Sequence, residues 1–406
     1  MTAPLEGQPW LTASATRAVI AALEAAGGPG CARFVGGCVR NSLIGQPVAD
    51  IDIATTLKPE ATDRAIRAAG LKAVPTGMAH GTVTAVAERQ PFEITSLRRD
   101  VSTDGRKATV AFTDDWGEDA ARRDFRLNAL YADAAGVVFD PTGEGVADAL
   151  AGRIIFVGDP ETRIREDFLR ILRFFRFHAW YGRGAPDPAA LAACRELAPG
   201  MTRLSAERVS SELMKLLAAP DPRAAVAAMA EAGVVEQILP EGRPSAAFDA
   251  AVEQEADAVV RLMLLLPADE GVVRAAATRL RLSNAMRDRL ADAAGAYPAV
   301  DLGMSDREAR AALYRLGAPA VADAVRRHRS EAPGRADEAR RLLGLADGWQ
   351  RPRLPVGGRD LAPLGVQPGP ETGRLLKAFE DGWIADDFPT TGHAERLAAL
   401  VSPPRG

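Results

Sequence analysis

The stretch that decides the fold runs from Cys31 to Thr56, CARFVGGCVRNSLIGQPVADIDIATT. It reads as an apolar strand, a double glycine (Gly36, Gly37), an arginine (Arg40) in a short helical turn, and a second strand carrying Asp50 and Asp52. Side chains alternate along a strand, so aspartates at positions i and i+2 project from the same face. Two close carboxylates repel each other unless a cation lies between them. A divalent metal is the natural counter-charge, and hard oxygen ligands suit Mg²⁺. Glycines just upstream let a backbone turn approach a phosphate closely. Alone, a D-x-D on a strand is more often an ordinary loop or edge pair. After the glycine turn it points to a metal-dependent site for a nucleoside triphosphate.

The surrounding chain sets bounds on that reading. At 406 residues it is too long for one ordinary core, so about two to four domains are expected. Hydrophobic residues make up 47% and charged residues 26%, a globular composition with ample core material. The apolar run Leu262 to Leu266 is far too short to cross a bilayer, and no membrane association is expected. The opening MTAPLEGQPW lacks a basic region followed by an apolar one, so no secretory signal is read there. Three cysteines (Cys31, Cys38, Cys194) without metal-ligand spacing argue for a reducing cytoplasm and against a disulfide framework or zinc site. The net charge of −4 speaks mildly against a nucleic-acid partner, although local patches decide steering. Arginine clusters recur at 163–183, 274–289, 326–329 and 340–353. Taken singly, each is better read as a solvated helix face.

Along the chain, residues 12–28 read as an amphipathic helix closed by Gly27 and Gly28. From Cys31 to Asp140, short strands (ARFVGG, DIDIA, GTVTAVAE, FEITSLR, ALYAD, VVFD) alternate with helices. After Gly152 helical periodicity takes over, with almost no strand signal between Arg163 and Ala346. A Pro/Gly-rich stretch at 350–370 precedes a last helix around Leu375 to Trp383. The expected fold is α+β. A mixed-sheet head (1–150) is followed by an all-helical remainder, divided into a neck (151–220), a body (221–300) and a tail (301–406).

Three constellations carry chemistry. Two-metal catalysis calls for a third carboxylate near Asp50 and Asp52. Glu93, in the apolar strand PFEITSLRRD, is the best candidate, on even terms with an ordinary outward-facing strand residue. In ARRDFRLNALYAD, Arg122 or Arg123 beside Asp124 is a local ion pair or a clamp for phosphate or ribose. In IREDFLRILRFFRF, read as one helix from Ile164 to Phe177, Asp167, Arg170, Arg173 and Arg176 sweep one side. One acceptor carboxylate and several guanidinium donors can read the Watson–Crick edge of a base. The bland alternative is a salt-bridged surface helix.

With these stretches the sequence resembles the class II tRNA nucleotidyltransferase (CCA-adding enzyme) and bacterial poly(A) polymerase family, of the polymerase-β-like nucleotidyltransferase superfamily. The family's GG-x-VRD followed by D-x-D appears as GGCVRN and DID, and RRDF-x-x-NA appears at Arg122 to Ala129. DP-x-GG-x-x-DL appears as DPTGEGVADAL at Asp140 to Leu150, and ED-x-x-R-x-x-R at Glu166 to Arg173. S-x-ER-x-x-x-EL appears at Ser205 to Leu213. The resemblance implies a polymerase-β-like head and Asp50 and Asp52 as ligands of a two-Mg²⁺ site. Glu93 would complete the carboxylate set and help activate an RNA 3′-hydroxyl. Gly37 and Arg40 would contact the triphosphate. Arg123, Asp124 and Asn128 would hold the sugar and link head to neck. Asp167 and Arg170 would select CTP and then ATP, supported by Arg173 and Arg176. The segment 98–113 would be a loop that helps switch base choice. The helical remainder would grip the tRNA acceptor arm, and no protein partner is implied. Asn41 departs from the family's Asp, and Glu144 interrupts its Gly-Gly. None of the four histidines is followed by Asp, so the phosphohydrolase module of some relatives is not expected.

The expectation is therefore a template-independent tRNA 3′-terminal nucleotidyltransferase adding CCA from CTP and ATP. Within the family the alternatives are poly(A) synthesis and CC-only or A-only addition. Outside it they are an inactive RNA-binding scaffold, which would have no need of the DID pair, and a small-molecule nucleotidyltransferase of the aminoglycoside-modifying type. The long arginine-bearing helical part suits RNA better than a small acceptor.

Overall fold

The computed structural model describes residues 5, 7–104, 107–254 and 256–401. It forms two compact units, Met1–Pro240 and Glu241–Gly406.

The first unit opens with α1 (Pro9–Thr12) and α2 (Ser14–Gly27), the latter closed by Gly28 at φ +83°. A seven-stranded mixed sheet follows, in the order β3 (Lys72–Gly77), β4 (Thr82–Ala87), β5 (Gln90–Ser96), β2 (Asp52–Thr55), β1 (Ala32–Val35), β8 (Tyr131–Ala132), β9 (Val138–Phe139). Only β2 and β5 run parallel. Strand β3 is one the sequence pattern did not reveal.

Period-two alternation gives the sheet two unlike faces. Phe34, Ile53, Val83, Ala85, Phe92 and Ile94 are fully buried on one of them. There they pack under α2 and α4 (Pro59–Ala68), which bring Leu23 and Ile66. The other face carries a transverse row. Phe139 lies opposite Tyr131, Tyr131 opposite Val35, Asp52 opposite Glu93, and Glu93 opposite Thr84. The pairing of Phe34 with Ile53 sets Val35 beside Asp52 and closes the row. Helix α5 (Trp116–Ala121) covers its β9–β1 end with Trp116 and Ala120. At the other end, from Glu93 to Thr84, Glu93 is exposed and Thr84 half-buried. The fold thus leaves its carboxylates at the boundary between a buried and an open half-face.

The stretch 98–113 is not a loop but a two-stranded ribbon, β6 (Arg98–Asp104) with β7 (Lys107–Phe112); residues 105 and 106 at its turn lie outside the described residues. In the third motif the glycine demands fall on either side of Glu144. Gly143 has φ +81°, and a Cβ on Gly145 would sit 2.5 Å from the Arg126 carbonyl oxygen. Glu144 itself has φ −126°, open to any residue, so its replacement of glycine leaves the turn intact. Asp140 ties that turn by accepting the N–H groups of Thr142, Gly143 and Val146.

After α6 (Gly145–Ala151) the first unit is helical: α7 (Pro160–Glu166), α8 (Leu169–Tyr181), α9 (Pro188–Leu197), α10 (Ala206–Leu217), α11 (Arg223–Glu231) and α12 (Val234–Ile238). The single helix expected from Ile164 to Phe177 is two helices. Asp167 leaves helical geometry (φ −155°, ψ 105°), and its Oδ1 accepts the Leu169 N–H at 3.1 Å. Aspartate competes in this way for free N–H groups at helix starts, which breaks the run there. Beyond Phe139 no strand occurs among the described residues. The second unit is wholly helical, from Ala246–Glu253 to His393–Val401. Its last part holds helices Pro370–Ala385 and His393–Val401, where the sequence showed only one. Its core gathers Val300, Leu313, Val321, Val325 and Leu342, with Trp383, Phe379 and Leu361 in a second cluster. Among the described residues no helix is long and apolar enough to cross a membrane.

Candidate active site

Strand β1 ends at Val35, and the chain turns at Gly36 with φ +69°, a conformation that favours glycine. Gly37 then opens α3 (Gly37–Leu43). The turn sits beside Asp52, since Cys38 Sγ lies 3.8 Å from the Asp52 carbonyl oxygen. Burial pushes the Cys38 thiol up to about 11, so it is a neutral packing residue.

Asp52, Glu93 and Asp50 form the acidic part. Asp50 precedes β2 in extended chain and is exposed, while Asp52 is half-buried and directly opposite Glu93. The two readings of Glu93 therefore coincide: it faces outward and it stands beside Asp52. Burial pushes the Asp52 carboxyl up to about 6; Glu93 and Asp50 add to the rise, and Arg123 opposes it. None of the three carboxylates is paired with a cationic side chain at ion-pair distance among the described contacts. Such a set suits a hard divalent cation. No three His, Cys, Asp or Glu side chains among the described residues converge tightly enough to enclose an ion by themselves.

Around this acidic strip lies an arginine framework. Arg123 donates to Asp119 Oδ2 at 3.2 and 2.9 Å and to the Tyr131 hydroxyl at 3.1 Å. Its Nη1 lies about as near Gly36 as van der Waals contact allows, 4.0 Å from where a Cβ would stand. Arg122 donates to Asp119 Oδ1 at 2.9 and 2.6 Å. Asp119, fully buried, is held in its charged form: burial alone would raise its pKa, but Arg123, Arg122 and the Tyr131 hydroxyl hold it down.

Arg40 is buried, and its guanidinium is already engaged. It donates to Asn128 Oδ1, to Asn41 Oδ1 at 3.1 and 2.9 Å, and to the Tyr181 hydroxyl at 2.8 Å, while lying 4.0 Å over the Tyr181 ring. All three partners are neutral, and desolvation lowers its pKa. These hydrogen bonds engage four of its five N–H groups, and Nη2 lies 3.8 Å from where a Cβ on Gly37 would stand. Asn41 accepts two of its hydrogen bonds without neutralising it. Asp124 is a link to α8: Oδ2 accepts from Arg173 Nε at 2.8 Å, and Oδ1 accepts from Asn128 Nδ2 at 3.1 Å. Arg173 and Arg176 both face buried Glu212 on α10, at 3.9 and 2.7 Å. These two arginines brace α8.

Asp167 and Arg170 stand on either side of the helix break, where the Arg170 N–H donates to the Asp167 carbonyl at 2.9 Å, and their side chains go to other partners. Asp167 Oδ2 accepts from Arg208 Nη2 at 2.6 Å. Arg170 pairs with Glu166 and donates to the carbonyls of Arg163 (2.7 Å) and Arg122 (3.4 Å). Arg208, Glu166 and Asp119 bond to candidate-site residues, and the sequence reading gave them no role. The first two lie inside motifs quoted for other positions. Asp119 was masked by EDAARR, which looks like a local charge run.

Two family models match: the Poly A polymerase head domain over residues 32–155, and the probable RNA and SrmB-binding site of polymerase A over residues 185–245. The chain is 33% identical over 374 residues to a mitochondrial CCA tRNA nucleotidyltransferase 1 of Homo sapiens, covering 86% of this chain and 82% of that one. It is 31% identical over 405 residues to a CCA-adding enzyme of Limosilactobacillus fermentum, covering 96% of each. In fold it is similar to the Bacillus stearothermophilus CCA-adding enzyme solved with CTP, with TM-score 0.74, 24% identity and 96% and 97% coverage.

Proposed function

We infer, from the premise that this chain belongs to the class II CCA-adding enzyme family, that it is a tRNA nucleotidyltransferase building the 3′-terminal CCA from CTP and ATP. The observation that carries the reading is the Asp52–Glu93 pair, two carboxylates side by side beside a glycine turn and an arginine framework, with no ion-pair partner among the described residues.

The family's chemistry depends on a divalent metal. Here Asp50 and Asp52 would hold Mg²⁺, with Glu93 completing the carboxylate set. The chemistry such ions supply when bound is a lowered hydroxyl pKa and neutralised charge on the triphosphate. The tRNA 3′-hydroxyl attacks the α-phosphorus in line, the bond to the bridging oxygen breaks, and pyrophosphate leaves. Glu93 would orient the attacking hydroxyl. The Gly36–Gly37 backbone and Arg123 would meet the triphosphate, with Arg40 adding its uncompensated positive field. Asp124 and Asn128 would hold the sugar while fixing α8.

Base choice would fall to Asp167 and Arg170. Cytosine and adenine both present an amino donor beside a ring-nitrogen acceptor. Guanine and uracil present the reverse order of donor and acceptor. A carboxylate that accepts and a guanidinium that donates fit the first pair only. Glu166 and Arg208 hold these two side chains until a base takes their place. The tRNA acceptor arm would lie along the helical part. The three buried free cysteines suit a cytoplasmic setting.

The test is pyrophosphate release with tRNA lacking its terminal CCA. CTP and ATP should support divalent-dependent release, and GTP and UTP should not. Asp50→Ala and Asp52→Ala should abolish release while far-UV circular dichroism stays unchanged. Near-normal turnover in either variant would overturn the assignment.

A further inference from the structure

We propose that Tyr181 is a positioning residue that holds Arg40 at the glycine turn and so sets triphosphate affinity without regard to the base. The proposal rests on the functional reading given above and deepens it at the triphosphate end of the site.

Arg40 is 6% exposed, and among the described residues it has no ion-pair partner. The carboxylate that favours its charge, Asp124, is already bonded to Arg173 and Asn128. A buried guanidinium in that position must have its N–H groups satisfied by neutral acceptors. Asn41 Oδ1 takes two of them, Asn128 Oδ1 takes one, and the Tyr181 hydroxyl takes one from Nη2 at 2.8 Å. One N–H, on Nη1, is left over. The acceptors are themselves held in place. Asn41 Nδ2 donates to the Pro47 carbonyl at 2.8 Å, which turns its Oδ1 toward Arg40. Asn128 is fixed by its Nδ2 bond to Asp124.

Tyr181 comes from the neck, where it is the last residue of α8. Its carbonyl lies 2.8 Å from where a Cβ on Gly152 would stand, so the chain leaving α6 seats directly against it. Its ring lies 4.0 Å from the Arg40 guanidinium and 5.7 Å from the Phe177 ring. Ring and hydroxyl together therefore fix the guanidinium from the neck side. A phenylalanine here would fill the same space but leave an Arg40 N–H unbonded. A carboxylate would accept the bond but cancel the charge. The neutral hydroxyl does neither, and the charge it preserves sits beside Gly37. CTP and ATP carry the same triphosphate, so the contribution is equal for both.

The experiment measures kcat, KM for CTP, ATP and tRNA, and inhibition by inorganic pyrophosphate. It uses the full-length chain, Tyr181→Phe and Tyr181→Leu. Tyr181→Phe keeps the ring over the guanidinium and removes only the acceptor. It should raise KM for both nucleotides, and the inhibition constant of pyrophosphate, by one common factor of about three- to tenfold. Because the lost contact serves ground state and transition state alike, kcat and KM for tRNA should stay within about twofold. Tyr181→Leu removes the ring as well and should move the same three constants further. A merely structural role would lower kcat in step with the melting temperature and leave the three constants unchanged; that result overturns the proposal, as does a rise confined to one nucleotide. If Tyr181→Leu does not fold, Tyr181→Phe decides alone by the same criteria. The wild-type chain in the same assay separates the two readings. If it fails to add C and then A, the functional assignment fails; if it succeeds and the three constants hold in Tyr181→Phe, only this proposal does.

Discussion

Replacing Asp52 by asparagine should abolish turnover and, in the absence of metal, make the protein more stable. The Asp52 carboxyl is pushed from 3.8 up to about 6, first by burial and then by Glu93 and Asp50, with Arg123 opposing. A shift of about two units corresponds to about 3 kcal/mol against the ionised form. The folded chain keeps this proton between pH ~4 and ~6, where the unfolded chain has released it. Stability therefore falls as pH rises through that window and stays reduced above it. Asparagine keeps the shape and removes the charge. Because Asp52 is only half-buried, solvent screening trims the gain at pH 8 to about 1–2 kcal/mol. For a unit of this size that is a rise of about 2–8 °C in melting temperature. The assay is thermal melting followed by circular dichroism in EDTA at pH 5 and pH 8. The gap between variant and wild type should open at pH 8 and shrink at pH 5. Adding Mg²⁺ should raise the wild type and leave the variant almost unmoved. A variant that melts at or below the wild type at pH 8 in EDTA, or an equal gap at both pH values, refutes the reasoning.

Arg173→Ala should destabilise the first unit by about 3 kcal/mol in urea denaturation, because buried Asp124 loses its cation; a change under about 1 kcal/mol would mean the link from head to α8 contributes little. Gly145→Ala should cost about 1–3 kcal/mol, since its Cβ would meet the Arg126 carbonyl oxygen at 2.5 Å. In the same melts Glu144→Gly should stay within about 1 kcal/mol of wild type; the reverse ranking would contradict the account of that turn. Asp167→Ala and Arg170→Ala should relax base choice in primer extension, with GTP or UTP entering at the expense of CTP and ATP. Unchanged selectivity would exclude both residues from base reading.

The head was legible because its signals are local. The alternation in GTVTAVAE and FEITSLR gave β4 and β5, and the glycine turn announced the step from β1 into α3. The break at Asp167 was hidden because Ile164, Ile171, Leu172 and Phe175 keep one helical period across it. Periodicity records which residues face the core, and it does not register a cap that interrupts the axis between them. The β6–β7 ribbon was missed because RRDVSTD holds a single apolar residue, Val101, and so shows no alternation to detect. Arg40 shows another limit. Its position beside the glycines suggested a phosphate contact, but its hydroxyl partner Tyr181 lies 141 residues away in sequence. Asp119 was unreadable for a similar reason, since its partners Arg98 and Tyr131 arrive from other strands. Spacing named the candidate residues, and only long-range packing shows which of them already bond to one another.

The central claim is that one site both catalyses transfer and chooses the nucleotide. Its most direct test is the product ladder on a sequencing gel, from tRNA ending one nucleotide before its CCA, incubated with Mg²⁺ and each nucleoside triphosphate singly and together. The account predicts two additions with CTP alone, a third only when ATP is also present, and then a stop. A long ladder with ATP alone, or extension by GTP or UTP, would contradict it.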